Sequence, residues 1–423
     1  MQLEMQSSHS TIKMRESVRS IFLSGAKGAC SRIATKRLLS RRSVELHDCK
    51  HVVLISVGQS ACQMAETYRA AMPENVRSTA ILSDALCPDE VLGALRVRHE
   101  RGGASTRIFA DGVRNAVRTV GTEAVGVFLL SAGHQAMLST PPFGVEHSMR
   151  NEIQQLLVSS KARSDEIMAV RNALSVIDDR TLMAALGLSR AISVRLSTES
   201  PSEAKSAAAA WTRETRRIAQ DSHKILERYG LAGTTERFPC DHIMTASGIN
   251  VPPENALRLV PVTTYNDGIR AASEAAKRFG WVKVHHFSTA LSADRAANEI
   301  FRVARETASV RRPTVVLFGQ NGARKRSHEL ALCFAILEER DRLNRPWVLL
   351  SGCTTGESIF ETSIGAVVDG GSSAWIRQSG VEPRTNLIGD AARQALEVSG
   401  DLLVANERIN PLNLDVLFLG EQQ

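Results

Sequence analysis

Short, continuous apolar runs separated by helix-length segments set the pattern of this chain. Val52–Val57 (VVLISV) and Gly126–Leu130 do not alternate with polar residues, the mark of strands covered on both faces. Further strands are expected at Ala80–Leu82 and Ile192–Leu196. A second series follows at Leu257–Val262, Val282–His285, Thr314–Phe318, Trp347–Leu350, Ala366–Val368 and Val416–Leu419. Helical spacing follows Gly58 as far as Ala71, and recurs at Thr106–Val120, Ser148–Ser159, Ser164–Ser175 and Leu182–Leu186. A long charged helix ends near Tyr229–Gly230, and three more fall at Ala290–Ala308, His328–Arg340 and Leu387–Ser399. Strands alternating with helices imply parallel sheets with right-handed crossovers, whose ligands bind beyond the carboxyl ends of the strands.

At 423 residues the chain is too long for one ordinary core, so two domains are expected. The irregular stretch Phe238–Pro253, with Pro239, Gly248, Pro252 and Pro253, is the natural connection. The expected division is an extension at 1–13, an α/β domain at 14–245 and a second α/β domain at 246–423. Each is read as a largely parallel sheet flanked by helices.

Composition narrows the class. With 43% hydrophobic and 23% charged residues the chain is globular, and with only 4% aromatics its core must be aliphatic. No apolar run approaches the roughly 20 residues that cross a bilayer, so no membrane insertion is expected. The seven scattered cysteines never form C-x-x-C, which argues against a disulfide framework or structural zinc and for a reducing compartment. Between Met5 and Arg42 stand nine Lys or Arg residues and one acid, Glu16. Two readings stand side by side: a basic, serine-bearing mitochondrial presequence, or a first helix with Val18, Ile21, Phe22 and Ala29 on one face. The expected compartment is the mitochondrion on the first reading and the cytoplasm on the second.

Neither G-x-x-x-x-G-K-[ST] nor G-x-G-x-x-G after a strand occurs, and H-E-x-x-H is absent. His285–His286 lacks a third ligand at metal spacing and reads as a surface or core pair; no metal site is expected. The order of turns does match something. Val52–Val57 running into Gly58-Gln-Ser-Ala-Cys-Gln-Met64-Ala resembles the V-G-K-A-A-x-x-M-A turn of glycerate 2-kinases. Val127–Leu138 (VFLLSAGHQAML) with Pro141 is similar to that family's L-I-S-G-G-G-S-A-L…P. Val170–Ile177 (VRNALSVI) is similar to V-R-K-H-L-S-x-I. His328–Leu332 resembles the end of G-G-R-N-Q-E-L-A-L, and Ser351–Gly356 through Gly365–Gly370 resembles the T-D-G…A-G-A-V-V-D-G of the C-terminal MOFRL domain. The anchors run in order from about Met14 to Leu419.

The resemblance implies a two-domain glycerate-kinase fold. It also implies a site drawn from Gly58, Ser131, Gly133, Arg171, Glu329 and Gly356, with Arg326 as the catalytic cation if the chain is active. ATP and Mg²⁺ are then implied; otherwise no cofactor is expected. The departures fall on turns. The family lysine is Gln59, a neutral amide where phosphoryl transfer needs charge. His134 interrupts the glycine turn, in which bare amides would close around an anion. Asp178 puts an acid where the family has lysine and glycines, and Thr355 replaces the aspartate of T-D-G. His134 reads as a plain substitution or as a new acid/base group. Three functions follow: a degenerate kinase serving as a structural or interaction subunit in a larger assembly, a divergent glycerate kinase, or a basic face in weak contact with RNA. The last would use Arg213, Arg216, Arg217, Arg311–Arg312 and Arg324–Arg326.

Overall fold

The computed structural model describes residues 2–40, 49–83, 95–96, 124–132, 134, 190–198, 222, 224–231, 257–287, 291–307, 310–319, 327–354, 363–387, 390–404, 410 and 412–421. It also describes scattered positions between 152 and 188. Contacts divide the chain into two units. One holds Met1–Cys30, Thr198–Ser200 and Thr264–Gln423; the other holds Ser31–Ser197 and Pro201–Thr263. This division is interleaved, where the sequence suggested a single linear boundary near 245.

The middle unit is built on one parallel sheet. Its strands are β1 (His51–Val57), β2 (Arg77–Ser83), β3 (Leu95–Arg96), β4 (Val125–Leu130), β5 (Arg190–Ser197) and β6 (Leu257–Thr263), in the order β3-β2-β1-β4-β5-β6. Every pairing is parallel. Leu257–Val262, grouped with the second half on sequence, is here the outermost strand beside β5. Pro261 fits that edge position, because a proline cannot donate to a further strand. The sheet is covered by α2 (Ser31–Ser40) and α3 (Ala61–Ala70), with Leu38, Met64, Ala65 and Tyr68 packed on Val52, Leu54, Val127 and Val194. The expected helix at Thr106–Val120 lies outside the described residues, as do most of those between Ser160 and Leu186.

The second unit carries a mixed sheet. Its strands are β7 (Trp281–His286), β8 (Thr314–Gly319), β9 (Trp347–Cys353), β10 (Ser363–Asp369), β11 (Leu402–Val404) and β12 (Asn413–Leu419), ordered β11-β10-β9-β12-β8-β7. Only β7 and β8 pair in parallel; the other four pairings are antiparallel. This sheet is therefore less parallel than its alternating pattern suggested. The closing strand inserts between β8 and β9 and runs against both.

The helices of this unit are α4 (Tyr265–Ala276), α5 (Ala293–Glu306), α6 (Ser327–Asp341), α7 (Ser372–Gln378) and α8 (Asp390–Val398). α5, α6 and α8 bury one face of the sheet around Ile300, Phe318, Phe334, Leu349 and Leu396. α1 (Gln2–Gly28) and α4 bury the other face. Met14, Val18, Ile21, Phe22, Ala26 and Ala29 are all core residues there, so the helical reading of the N-terminal stripe describes real packing. Small residues let the two helices close. A Cβ on Gly25 would reach Ala272 at 3.1 Å, and one on Gly28 would press on Ala271 and lie 2.9 Å from the Asp267 carbonyl. Arg15 then pins α1 to the sheet. Its guanidinium donates to Asp369 and Asp401 at 2.5 Å each and to the Val367 carbonyl at 2.7 Å.

Candidate functional site

In the parallel sheet the chain runs outward from β1 through β2 to β3, then returns to β4 on the other side of β1. The carboxyl ends of β1 and β4 are thus the point where strand order reverses, the place at which open α/β sheets form a ligand crevice. Gly58, Gln59, Ser131 and His134 all fall there, so four of the expected site residues are brought together by the topology alone.

The geometry shows what the two turns do with that position. Gly58 adopts φ of +117°, and a Cβ on it would lie 2.6 Å from the Ser131 carbonyl and 2.8 Å from that of Ala132. Glycine is therefore required by both conformation and space. The Gln59 amide donates to the Ala132 carbonyl at 2.9 Å, and the Ala61 amide to the Gly58 carbonyl at 3.0 Å. The Ser60 amide donates to Ser131 Oγ, also at 3.0 Å. Ser131, fully buried, closes the clip by donating its own amide to the Val57 carbonyl at 2.9 Å. The His134 amide and its Nδ1 both meet the Ser131 carbonyl, at 3.0 and 2.7 Å. Since a carbonyl only accepts, Nδ1 carries the proton in this contact.

The amides of Gln59, Ser60 and Ala61, in the turn that leads into α3, are all bonded within the protein. The first helical turn adds no acid and no cation of its own, and position 59 is neutral. Among the described residues, the crevice offers an anion the helix dipole and no side-chain cation.

Glu329 belongs to the other unit. It sits buried in the first turn of α6, where a carboxylate suits the positive end of the helix. Its influence is visible one turn on: the Cys333 thiol is pushed up to about 12 by burial first, then by the charges of Asp294 and Glu329. Gly133, Arg171, Asp178, Arg326, Thr355 and Gly356 lie outside the described residues.

Around the carboxyl ends of β7–β9 the same unit gathers polar groups that sequence reasoning did not single out. Tyr265 Oη lies 2.6 Å from His286 Nδ1, and a Cβ on Gly319 would overlap the tyrosine hydroxyl. His328 Nε2 lies 2.8 Å from Ser363 Oγ. Thr354 holds the chain on entry to the 355–362 segment: its amide donates to the Leu412 carbonyl at 2.9 Å and its Oγ1 to the Asn410 carbonyl at 2.8 Å. These pairs are separated by up to 58 residues, and no local motif announces them. His285 and His286 point to opposite faces: His285 packs on Phe287 and Phe318 and lies 3.2 Å from Glu299. Among the described residues, no group of three His, Cys, Asp or Glu side chains is arranged to hold a metal.

A parallel sheet with a glycine turn at its switch point, followed by a mixed sheet, defines a two-part α/β protein whose first sheet has the crevice geometry of open α/β folds. Residues 17–238, just over half of the chain, match the family described as a domain of unknown function, DUF4147, and the chain belongs to that family. It is similar to a D-glycerate 2-kinase of Thermotoga maritima, 24% identical over 381 residues, which span 84% of this chain and 87% of the relative. A putative hydroxypyruvate reductase of Agrobacterium vitis is also 24% identical, over 313 residues covering 70% of this chain and 80% of that one. Among solved structures, a glycerate kinase from Thermotoga maritima superposes with a TM-score of 0.58 at 20% identity, covering 96% of this chain and 99% of that one. The fold is therefore that of the glycerate kinases, as the order of turns implied.

Proposed function

We propose that this glycerate-kinase-like chain has lost phosphoryl transfer and serves as a structural or interaction subunit of a larger assembly. One observation carries the reading: the amides of Gln59, Ser60 and Ala61 are all bonded within the protein, beside a neutral side chain at 59. Phosphoryl transfer relies on positioning and on neutralising charge, and neither those three amides nor the neutral side chain at 59 can supply them. The described residues of the crevice do not fit a Mg²⁺–nucleotide. The MOFRL likeness of the second half and its T-D-G counterpart at Thr354–Gly356 belong to the same reading.

The test is ATP-dependent phosphorylation of D-glycerate by the purified full chain, with Arg326→Ala as control. No turnover above the control is expected, and no rise in melting temperature with ATP–Mg²⁺ or glycerate, since a ligand that binds only the folded state must raise its stability. Robust turnover abolished by Arg326→Ala would overturn the proposal. It would establish the second reading, a divergent glycerate kinase using ATP and Mg²⁺, which the kinship with the Thermotoga D-glycerate 2-kinase favours. Co-purification of the tagged chain with a larger assembly supports the subunit role; salt-dependent retention on RNA would move it to the basic-face reading. If the basic N-terminus directs the chain to the mitochondrion, any presequence is either short, ending before Met14, or retained, because Met14, Val18, Ile21, Phe22, Ala26 and Ala29 are core.

A further inference from the structure

β7 ends the mixed sheet, and its outer side meets no strand among the described residues. In a parallel ladder each residue turns both its N–H and its C=O to the same side, alternating along the strand. The Trp281 amide donates to the Pro313 carbonyl at 3.0 Å and the Phe287 amide to the Gly319 carbonyl at 3.4 Å, so residues 281, 283, 285 and 287 face β8. The backbone groups of Val282, Val284 and His286 therefore face outward. Such an edge pairs with another chain unless something covers it.

Its surroundings have one sign. Lys277, Arg278, Lys283, Arg311 and Arg312 flank the strand, and no acid occurs from Ala275 to Ala293 or from Thr307 to Pro313. Lys277 is paired with Glu274 at 2.6 Å, and Glu299 is taken by Arg302 and His285. Lys283 and Arg312 have no carboxylate partner among the described residues. At the start of the strand an open cleft of about 450 Å³ is lined by Lys277, Gly280, Trp281, Val282, Arg312 and Pro313. The Arg312 guanidinium stands 6.0 Å from the Trp281 ring, which is itself 36% exposed, as is Val284 to 37%. Gly280, at φ of +151°, lets the start of β7 lie directly against Pro313, since a Cβ there would overlap the Pro313 carbonyl.

We infer that β7 is a docking edge for an extended acidic segment of a partner protein, which adds to the sheet as a further strand. Outward amides of Val282, Val284 and His286 supply the ladder, Val284 receives apolar side chains on one face, and Lys283 and Arg312 receive carboxylates. A second copy of this chain is the wrong occupant, because pairing β7 with itself would bring Lys283 and Arg312 against like charges. The inference holds whether or not the switch-point crevice is catalytic.

The probe is a capped seven-residue peptide alternating glutamate and valine, added to the full chain, with amide hydrogen exchange read along β7. Slower exchange at Val282, Val284 and His286 is expected, with affinity weakened roughly fivefold by either Lys283→Glu or Arg312→Glu while exchange in β8 and β12 stays unchanged. Two independent reversals guard against one that fails to fold. A peptide of the same charge with its central valine replaced by proline should not protect the edge, because it cannot complete the ladder. Equal protection by the proline peptide, stronger protection by a single-stranded oligouridylate, no protection at all, or self-association through β7 in light scattering would each overturn the inference.

Discussion

Replacing Arg15 by methionine probes the bond between the first helix and the far end of the chain. In the native protein one guanidinium holds two carboxylates, Asp369 and Asp401, at 2.5 Å each. The side chains are 19%, 12% and 4% exposed, so solvent screening is weak. Methionine keeps the stem against the sheet but leaves Asp401 charged and buried. Breaking such a pair from one side costs about 3–5 kcal/mol. Ser399 Oγ still donates to Asp401 at 2.8 Å, which favours the lower end, about 3 kcal/mol. Trp281, Trp347 and Trp375 all lie in this unit, so urea unfolding followed by tryptophan fluorescence reads it directly. The midpoint should fall by roughly 1 M or more. The sign with pH is also fixed. Burial, partly offset by Arg15, raises the Asp401 carboxyl above its ordinary value. A carboxyl raised on folding stabilises below its unfolded pKa and loses that contribution as pH rises through the folded one. Without Arg15 the rise is larger, so the deficit of the variant should be greatest at pH 7 and shrink as pH falls toward 4. Arg15→Met with Asp401→Asn should recover much of the loss and flatten this dependence. A loss below about 1 kcal/mol, or a deficit independent of pH, would refute the reasoning.

Gly58→Ala should destabilise the middle unit by roughly 2–4 kcal/mol, from a forbidden φ and a Cβ driven against the Ser131 and Ala132 carbonyls; chemical denaturation measures it, and a neutral substitution would mean the two turns are not clipped as described. Gln59→Lys restores the missing cation but not the amides, so the nucleotide-dependent rise in melting temperature should stay below about 1 °C. A rise of several degrees would show that charge alone was wanting.

The strands of this protein could be read because most are buried on both faces: Val52–Val57 and Val125–Leu130 announce themselves by unbroken apolar runs. α4 could not. Its buried face is Tyr265, Gly268, Ile269, Ala272, Ala275 and Ala276, four of them too small to mark a stripe, although close approach to α1 depends on their smallness. The second sheet looked parallel because strands and helices alternate along it, yet alternation does not say where the last strand inserts. β6 was legible as a strand but not as a neighbour of β5, since pairing is a long-range property. At the crevice, Gly58 and Ser131 were visible through the order of turns. What their two turns do there, joined by a hydrogen bond from the Ser60 amide to Ser131 Oγ across 71 residues, was not.

α1 leaves the ribosome before the core residues it packs against, which are encoded from residue 264 onward. At translation rates of about 5–20 residues per second, its apolar face has no native partner for tens of seconds. The middle unit, Ser31 to Thr263 but for three residues, can complete itself during that interval, while the outer unit cannot close until β12 has been synthesised. Biogenesis therefore runs from the inside of the sequence outward. The nascent chain carries an uncovered amphipathic helix throughout, and that is the segment on which a chaperone would be needed.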